Sequence, residues 1–229
     1  MLIDPRLRAA VEAVPHRFLY ATLAGDALSG LGEADAEWDV RACHVLPARD
    51  LLGLREPPDH VAFTGTCGER SFEFLSLEVR RLFLSLLKKN GQVLEHLLSP
   101  LVVLTSPEHD ELKEIARQCV STHMAHHYLS HARMLAQVHA ARGDELSRLR
   151  TSRVLLTGIH LMRTGEVRTR FEDLPQAEPE RLFAELEEAA RKSPLPAAPP
   201  DLARQRLEDL LVRLRLGDAT TGGAEGVPR

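Results

Sequence analysis

Short apolar runs separated by glycine, aspartate and proline fill residues 16 to about 77, and from about residue 78 the apolar spacing lengthens from two toward 3.6. The first pattern predicts strands at Phe18 to Ala24, Asp39 to Leu46 and Ser71 to Leu77, the last with Phe72 and Phe74 on one face and Glu73 and Leu75 on the other. The second predicts helices. Val79, Leu82, Phe83, Leu86 and Leu87 form a stripe that stops at Asn90-Gly91, which reads as a C-terminal cap. A short helix from Val93 to Leu98 ends at Pro100, and Ser106-Pro107-Glu108 reads as an N-cap with proline in the first turn. Two longer helices follow, Thr122 to Ala141 and Leu146 to Arg163, the second ended near Gly165.

Beyond about residue 172 the pattern changes again. An acidic helix, Glu178 to Arg191, leads into a proline-rich stretch at 193–200 that is expected to be an extended linker. An amphipathic helix, Asp201 to Leu216, precedes a Gly/Thr-rich tail expected to be disordered. Leu207, Leu210, Leu211 and Leu214 suit packing on the domain, or docking of a partner helix, and packing is the reading favoured. Strands first and helices afterwards give an α+β fold class. The expected divisions are residues 1–105, a helical domain at 106–192, and a linker, terminal helix and tail at 193–229.

The 229 residues are 44% hydrophobic, enough for one core or two small ones. A net charge of −4 excludes a global basic field, so a nucleic-acid site would have to be a local patch. An aromatic content of 4% argues against a broad base-stacking platform. Cys43, Cys67 and Cys119 are odd in number and widely spaced, which points to a reducing compartment and small apolar fillers rather than a disulfide framework. No apolar run reaches membrane-span length and the N-terminus carries no leader pattern, so a cytoplasmic protein without membrane contact is expected.

The chemistry concentrates in three acids. Glu37 and Asp39 lie two apart in a strand pattern and can point together, and Glu73 sits between two phenylalanines, which suggests a buried neighbourhood. An exposed strand-end carboxylate is commonplace taken singly. Three acids on neighbouring strands would repel unless a divalent cation joined them. The turn Ala24-Gly25-Asp26 lies upstream at a strand end, where backbone N–H groups can approach phosphate oxygens.

The series Gly25-Asp26, Glu37-Trp38-Asp39 and Glu73 resembles the polymerase-β-type nucleotidyltransferase superfamily. Within it the chain is most similar to the predicted nucleotidyltransferases of bacterial RNA-repair operons. The segments at 38–47, 88–95, 98–101, 107–109 and 155–167 carry that resemblance, which runs from about Phe18 to Val167. It implies a small mixed β-sheet nucleotidyltransferase core and transfer of a nucleoside monophosphate from an NTP to a hydroxyl, RNA among the acceptors, with Mg²⁺ (or Mn²⁺). It implies that Glu37, Asp39 and Glu73 hold metal, that Glu73 helps deprotonate the acceptor, and that Gly25 passes close to the triphosphate. Asp26, Arg41, Lys88, Asn90, Arg153, His160 and Arg163 join Gly25 as candidate nucleotide-binding residues.

The chain departs from that pattern in three places. Asp26 stands where the family has serine, and an ionised carboxylate would repel phosphate. Glutamate replaces aspartate at 37 and 73, and Arg150-Thr151-Ser152 replaces aromatic residues before Arg153. A catalytically degenerate nucleotide- or RNA-binding scaffold is therefore the alternative expectation, and a transferase that modifies protein hydroxyls a third.

Between Arg117 and Arg170 nine arginines face three acids, a basic surface suited to NTP phosphates or an RNA backbone. Arg153, His160 and Arg163 fall near one helical face by spacing, and an ordinary solvated face is the plain reading. Cys119, His123, His126, His127 and His131 invite a zinc site, but one helix rarely supplies a full tetrahedral shell. Tyr128 suits helix packing better than base stacking. Glu95 has no evident structural reason and is held as a substrate-side residue.

Overall fold

The computed structural model of the chain describes residues 3–33, 36–52, 54, 56–171 and 174–217. Helix α1 (Pro5–Glu12) is capped by the Asp4 side chain and leads into strand β1 (Arg17–Leu23). A five-residue helix, α2 (Gly25–Ser29), separates it from β2 (Trp38–Val45). A short turn of helix, α3 (Ala48–Leu51), precedes the hairpin of β3 (His60–Cys67) and β4 (Arg70–Glu78). Then come α4 (Val79–Leu87), α5 (Gly91–Leu97), β5 (Val102–Thr105), α6 (Pro107–Gln118), α7 (Met124–Arg142) and α8 (Glu145–Thr164). Helices α9 (Pro179–Arg191) and α10 (Asp201–Leu216) complete the described chain.

The sheet order is β3-β4-β2-β1-β5, antiparallel throughout except for the parallel pair β2 and β4. Its two faces have different roles. Ala21, Leu23, Trp38, Val40, Phe72 and Phe74 pack beneath Leu7 and Val11 of α1, whose Arg8 donates to the Val103 carbonyl at 3.0 Å. On the other face Leu19, Tyr20, Cys43 and Val45 meet α4, α5 and α6, and that core continues through α7 to α10. One core therefore crosses the boundary expected at residue 105.

The terminal helix packs on the domain. Leu207, Leu210 and Leu214 are buried, Arg213 pairs with Glu111 at 2.6 Å, and Arg215 pairs with the buried Glu78 at 2.8 Å. The proline stretch is tied down as well: the Pro196 carbonyl accepts from Thr122 N at 2.9 Å, and Ser193 Oγ donates to the Met162 carbonyl at 2.6 Å. The tail expected to be disordered lies, from residue 218, outside the described residues.

Strands β1, β2 and β4 fall within one residue of their expected ends at both termini. The cap at Asn90-Gly91 needs correction. Asn90 starts the next helix, its side chain accepting from Val93 N at 3.2 Å, and the left-handed residue after α4 is Lys89, with φ of 81°. Gly91 lets α5 press against α7, because a Cβ there would lie 2.5 Å from the Tyr128 ring.

Candidate active site

Asp39 of β2 and Glu73 of β4 are register partners in the parallel pair, so both side chains leave the same face of the sheet. Phe72 and Phe74 point to the opposite face and build the core under α1. The flanking aromatics therefore do not bury Glu73, which is 52% exposed, contrary to expectation. Arg41, two residues along β2, reaches back between the acids: its Nε lies 2.5 Å from Asp39 Oδ1 and its Nη2 3.3 Å from Glu73 Oε1.

Asp39 is the stressed member. Its Oδ1 is buried, and its near partner is the Arg41 guanidinium. Burial pushes its carboxyl above the usual range, Arg41 pulls it back, and Glu73 and Asp26 push it up again. Gly25 closes over it. With φ of 55° and a would-be Cβ only 3.1 Å from Asp39 Oδ2, residue 25 is a close approach that suits glycine.

Glu37 does not join them closely. It precedes β2 and is exposed, next to residues 34 and 35, which lie outside the described residues. Among the described residues no group of three or more His, Cys, Asp or Glu is placed to hold a metal ion. The expected triad is thus a pair, Asp39 and Glu73. A pair fits Mg²⁺, which takes hard oxygen ligands and is commonly bound by one or two carboxylates plus substrate phosphates.

Over Asp39 opens a cleft of about 500 Å³ between the sheet and α4, α5, α7 and α8; Glu73, its register partner, is not among the lining residues. Gly25, Asp26, Asp39 and Arg41 line one side; Gln92, Glu95 and His96 line another, with Arg150 and Arg153 opposite. The repulsion expected from Asp26 is already met. Arg150 Nε donates to Asp26 Oδ1 at 3.0 Å and Oδ2 at 3.2 Å, and Nη2 also donates to Oδ2. Sequence reasoning treated Arg150 only as a departure; its position one helical turn before Arg153 was the available signal.

Glu95 holds the next rung. Arg153 Nη1 donates to Glu95 Oε2 at 2.6 Å, and both residues are nearly buried. Beside them His96 is driven down to about 3, first by burial and then by Arg41, Arg153 and His131. Burial also takes His131 down to about 4, helped by Arg153 and His127. Both imidazoles are neutral at pH 7, so the positive charge of the cleft comes from its arginines.

The family model of the RNA repair pathway DNA polymerase beta family (RlaP) matches residues 2–188. The chain belongs to this family. Its members are polymerase-β-like nucleotidyltransferases. The chain is 24% identical over 160 residues to the uncharacterized protein MJ0002 of Methanocaldococcus jannaschii, covering 67% of this chain and 63% of that one. It thus spans less than two thirds of that relative's length. A nucleotidyltransferase-like protein from Exiguobacterium sibiricum aligns over 91% of this chain and 73% of its own, at 11% identity and a TM-score of 0.35.

The remaining candidates divide. Asn90 lines the cleft, whereas Lys88 lies in a neighbouring groove. His160 is half-buried two turns beyond Arg153, and Arg163 pairs with Glu185 of α9 at 2.7 Å, so neither lines the cleft. Cys119 is fully buried, its thiol pushed up to about 11 by burial, and no zinc cluster forms around it among the described residues. No helix among the described residues is long and apolar enough to cross a membrane.

Proposed function

We propose that the chain transfers a nucleoside monophosphate from an NTP to a hydroxyl acceptor, RNA being the acceptor class favoured by the family's description. The observation that carries this reading is the half-buried Asp39 carboxylate, in register with Glu73 and lining a cleft that also carries four arginines. Asp39 and Glu73 would hold Mg²⁺, which when bound supplies charge to the triphosphate and acidifies the acceptor hydroxyl. Arg41, now between the two acids, would turn with Arg150 toward phosphate oxygens, while Arg153 stays on Glu95 and adds its charge to the cleft. Glu73, the more exposed acid, would take the acceptor proton. The acceptor oxygen then bonds to the α-phosphorus as the bond to pyrophosphate breaks, and pyrophosphate leaves with its electron pair.

Titration calorimetry of Mg²⁺–NTP mixtures into wild type and Asp39→Ala tests the site without knowledge of the acceptor. Binding that needs both Mg²⁺ and Asp39, weakened at least about 100-fold in the variant, supports the proposal. Binding of no NTP by wild type defeats it and favours the second reading, a nucleotidyltransferase-fold scaffold in which Arg41 permanently fills the metal position.

A further inference from the structure

A second groove, of about 400 Å³, opens beside the cleft and shares Ser85 and Asn90 with it. One wall is the turn between α4 and α5, with Lys88 and Lys89; the other is the start of α7, with His123, His126 and His127. No acid lines it. In the cleft every lining arginine is held by a carboxylate, Arg41 by Asp39, Arg81 by Asp59, Arg150 by Asp26 and Arg153 by Glu95. Lys88 and Lys89 are exposed, and among the described residues neither has a carboxylate within ion-pair distance.

The backbone is unusual at the same place. Lys89, with φ of 81°, is the one residue other than glycine in the left-handed region among the described residues. Glycine is the ordinary occupant of that conformation, and the chain keeps a cation there instead. Across the groove the His123 and His126 rings lie 6.3 Å apart, and His127 stands 6.3 Å from His131, which lines the cleft. Histidines at four-residue spacing thus run along α7 from the groove into the cleft.

Unpaired ammonium groups attract phosphates, and imidazole faces accept stacked bases. An acidic peptide would use the first property but not the second. We propose that this groove binds a single-stranded nucleic acid and leads its hydroxyl-bearing end past Ser85 and Asn90 to Asp39 and Glu73. The proposal rests on the nucleotidyltransfer reading for the identity of the cleft.

The test is fluorescence anisotropy of a labelled single-stranded RNA of about 16 nucleotides with the full chain, across a range of salt concentrations. Wild type is compared with Lys89→Gly/His126→Ala, in which glycine suits the backbone and both replaced side chains are exposed. The expected result is RNA affinity lowered about fivefold, with a salt slope shallower by about 0.7, and a further loss when Lys88→Ala is added. Mg²⁺–NTP titration of the double variant should match wild type, which separates the groove from the cleft. Unchanged RNA affinity in the triple variant overturns the proposal, as does a wild type that ignores RNA. Wild type that ignores RNA but binds polyglutamate through Lys89 assigns the groove to acidic proteins and overturns it equally.

Discussion

Helix α8 carries two arginines one turn apart, and each holds a carboxylate across the cleft. Arg150 and Asp26 form an outer pair, 36% and 25% exposed; Arg153 and Glu95 form an inner pair, 12% and 5% exposed. The chemistry is the same and the consequence is not. In the outer pair water screens the attraction, so the pair is worth about 1 kcal/mol or less and can exchange partners with an incoming phosphate. In the inner pair both charges are largely withdrawn from water, and loss of one strands the other. The difference separates a replaceable contact from a fixed floor.

The largest effect should come from the inner pair. Glu95→Ala leaves the Arg153 guanidinium buried without its counter-ion, at a cost of about 3–5 kcal/mol, and the thermal midpoint should fall by about 10 °C. Glu95→Leu combined with Arg153→Met removes both charges and should recover most of that loss. If Glu95→Ala melts with wild type in a thermal scan, the inner pair is no more structural than the outer one.

The contrast between the pairs shows what the sequence could reveal. Residues near in sequence or alike in period were readable. Alternation placed β1, β2 and β4, and the two-residue spacing put Phe72 and Phe74 on the face opposite Glu73. The resemblance brought Asp39 and Glu73 to one site, and their register confirms the adjacency. The ion pairs were not readable, because Glu95 and Arg153 are 58 residues apart, and Asp26 and Arg150 are 124 apart. Their meeting depends on how α8 lies over the sheet, which no local spacing encodes. Strand β3 was hidden for another reason: an edge strand exposed on alternate residues, with Thr64, Gly65 and Thr66, lacks the apolar run that marks a buried strand.

Acid should sharpen the comparison next. His96 and His131 at the inner end, and the buried His44 bonded to Ser76 at 2.8 Å, are held neutral, at about 3, about 4 and about 4. Their folded values lie below the unfolded value of 6.5, so the unfolded chain binds more protons between them. Stability is therefore fully present above 6.5 and falls with pH toward 4 and then 3, by at most about 3 kcal/mol for His131 and His44 and about 5 kcal/mol for His96. Asp39 acts with the opposite sign: its raised carboxyl favours the folded state under acid and weakens cation binding there. Denaturant melts between pH 7 and pH 4 should show a falling midpoint; a flat profile would mean that water reaches the inner end as freely as the outer.

The smallest effect belongs to the outer pair, and it decides whether that pair is replaceable. Asp26→Ser removes a carboxylate that faces the cleft and frees the Arg150 fork. Stability should change by less than about 1 kcal/mol, because both partners are solvated enough to find water. Mg²⁺–NTP affinity should rise about fivefold, since a like charge leaves the phosphate region while a guanidinium becomes available to it. Arg150→Ala should do the reverse, leaving Asp26 to repel the triphosphate and lowering affinity by a similar factor. Calorimetric titration of the two variants reads both signs. Equal affinity in both would show that the triphosphate never reaches Arg150, and the outer pair would then be a clasp between α2 and α8 rather than part of the site.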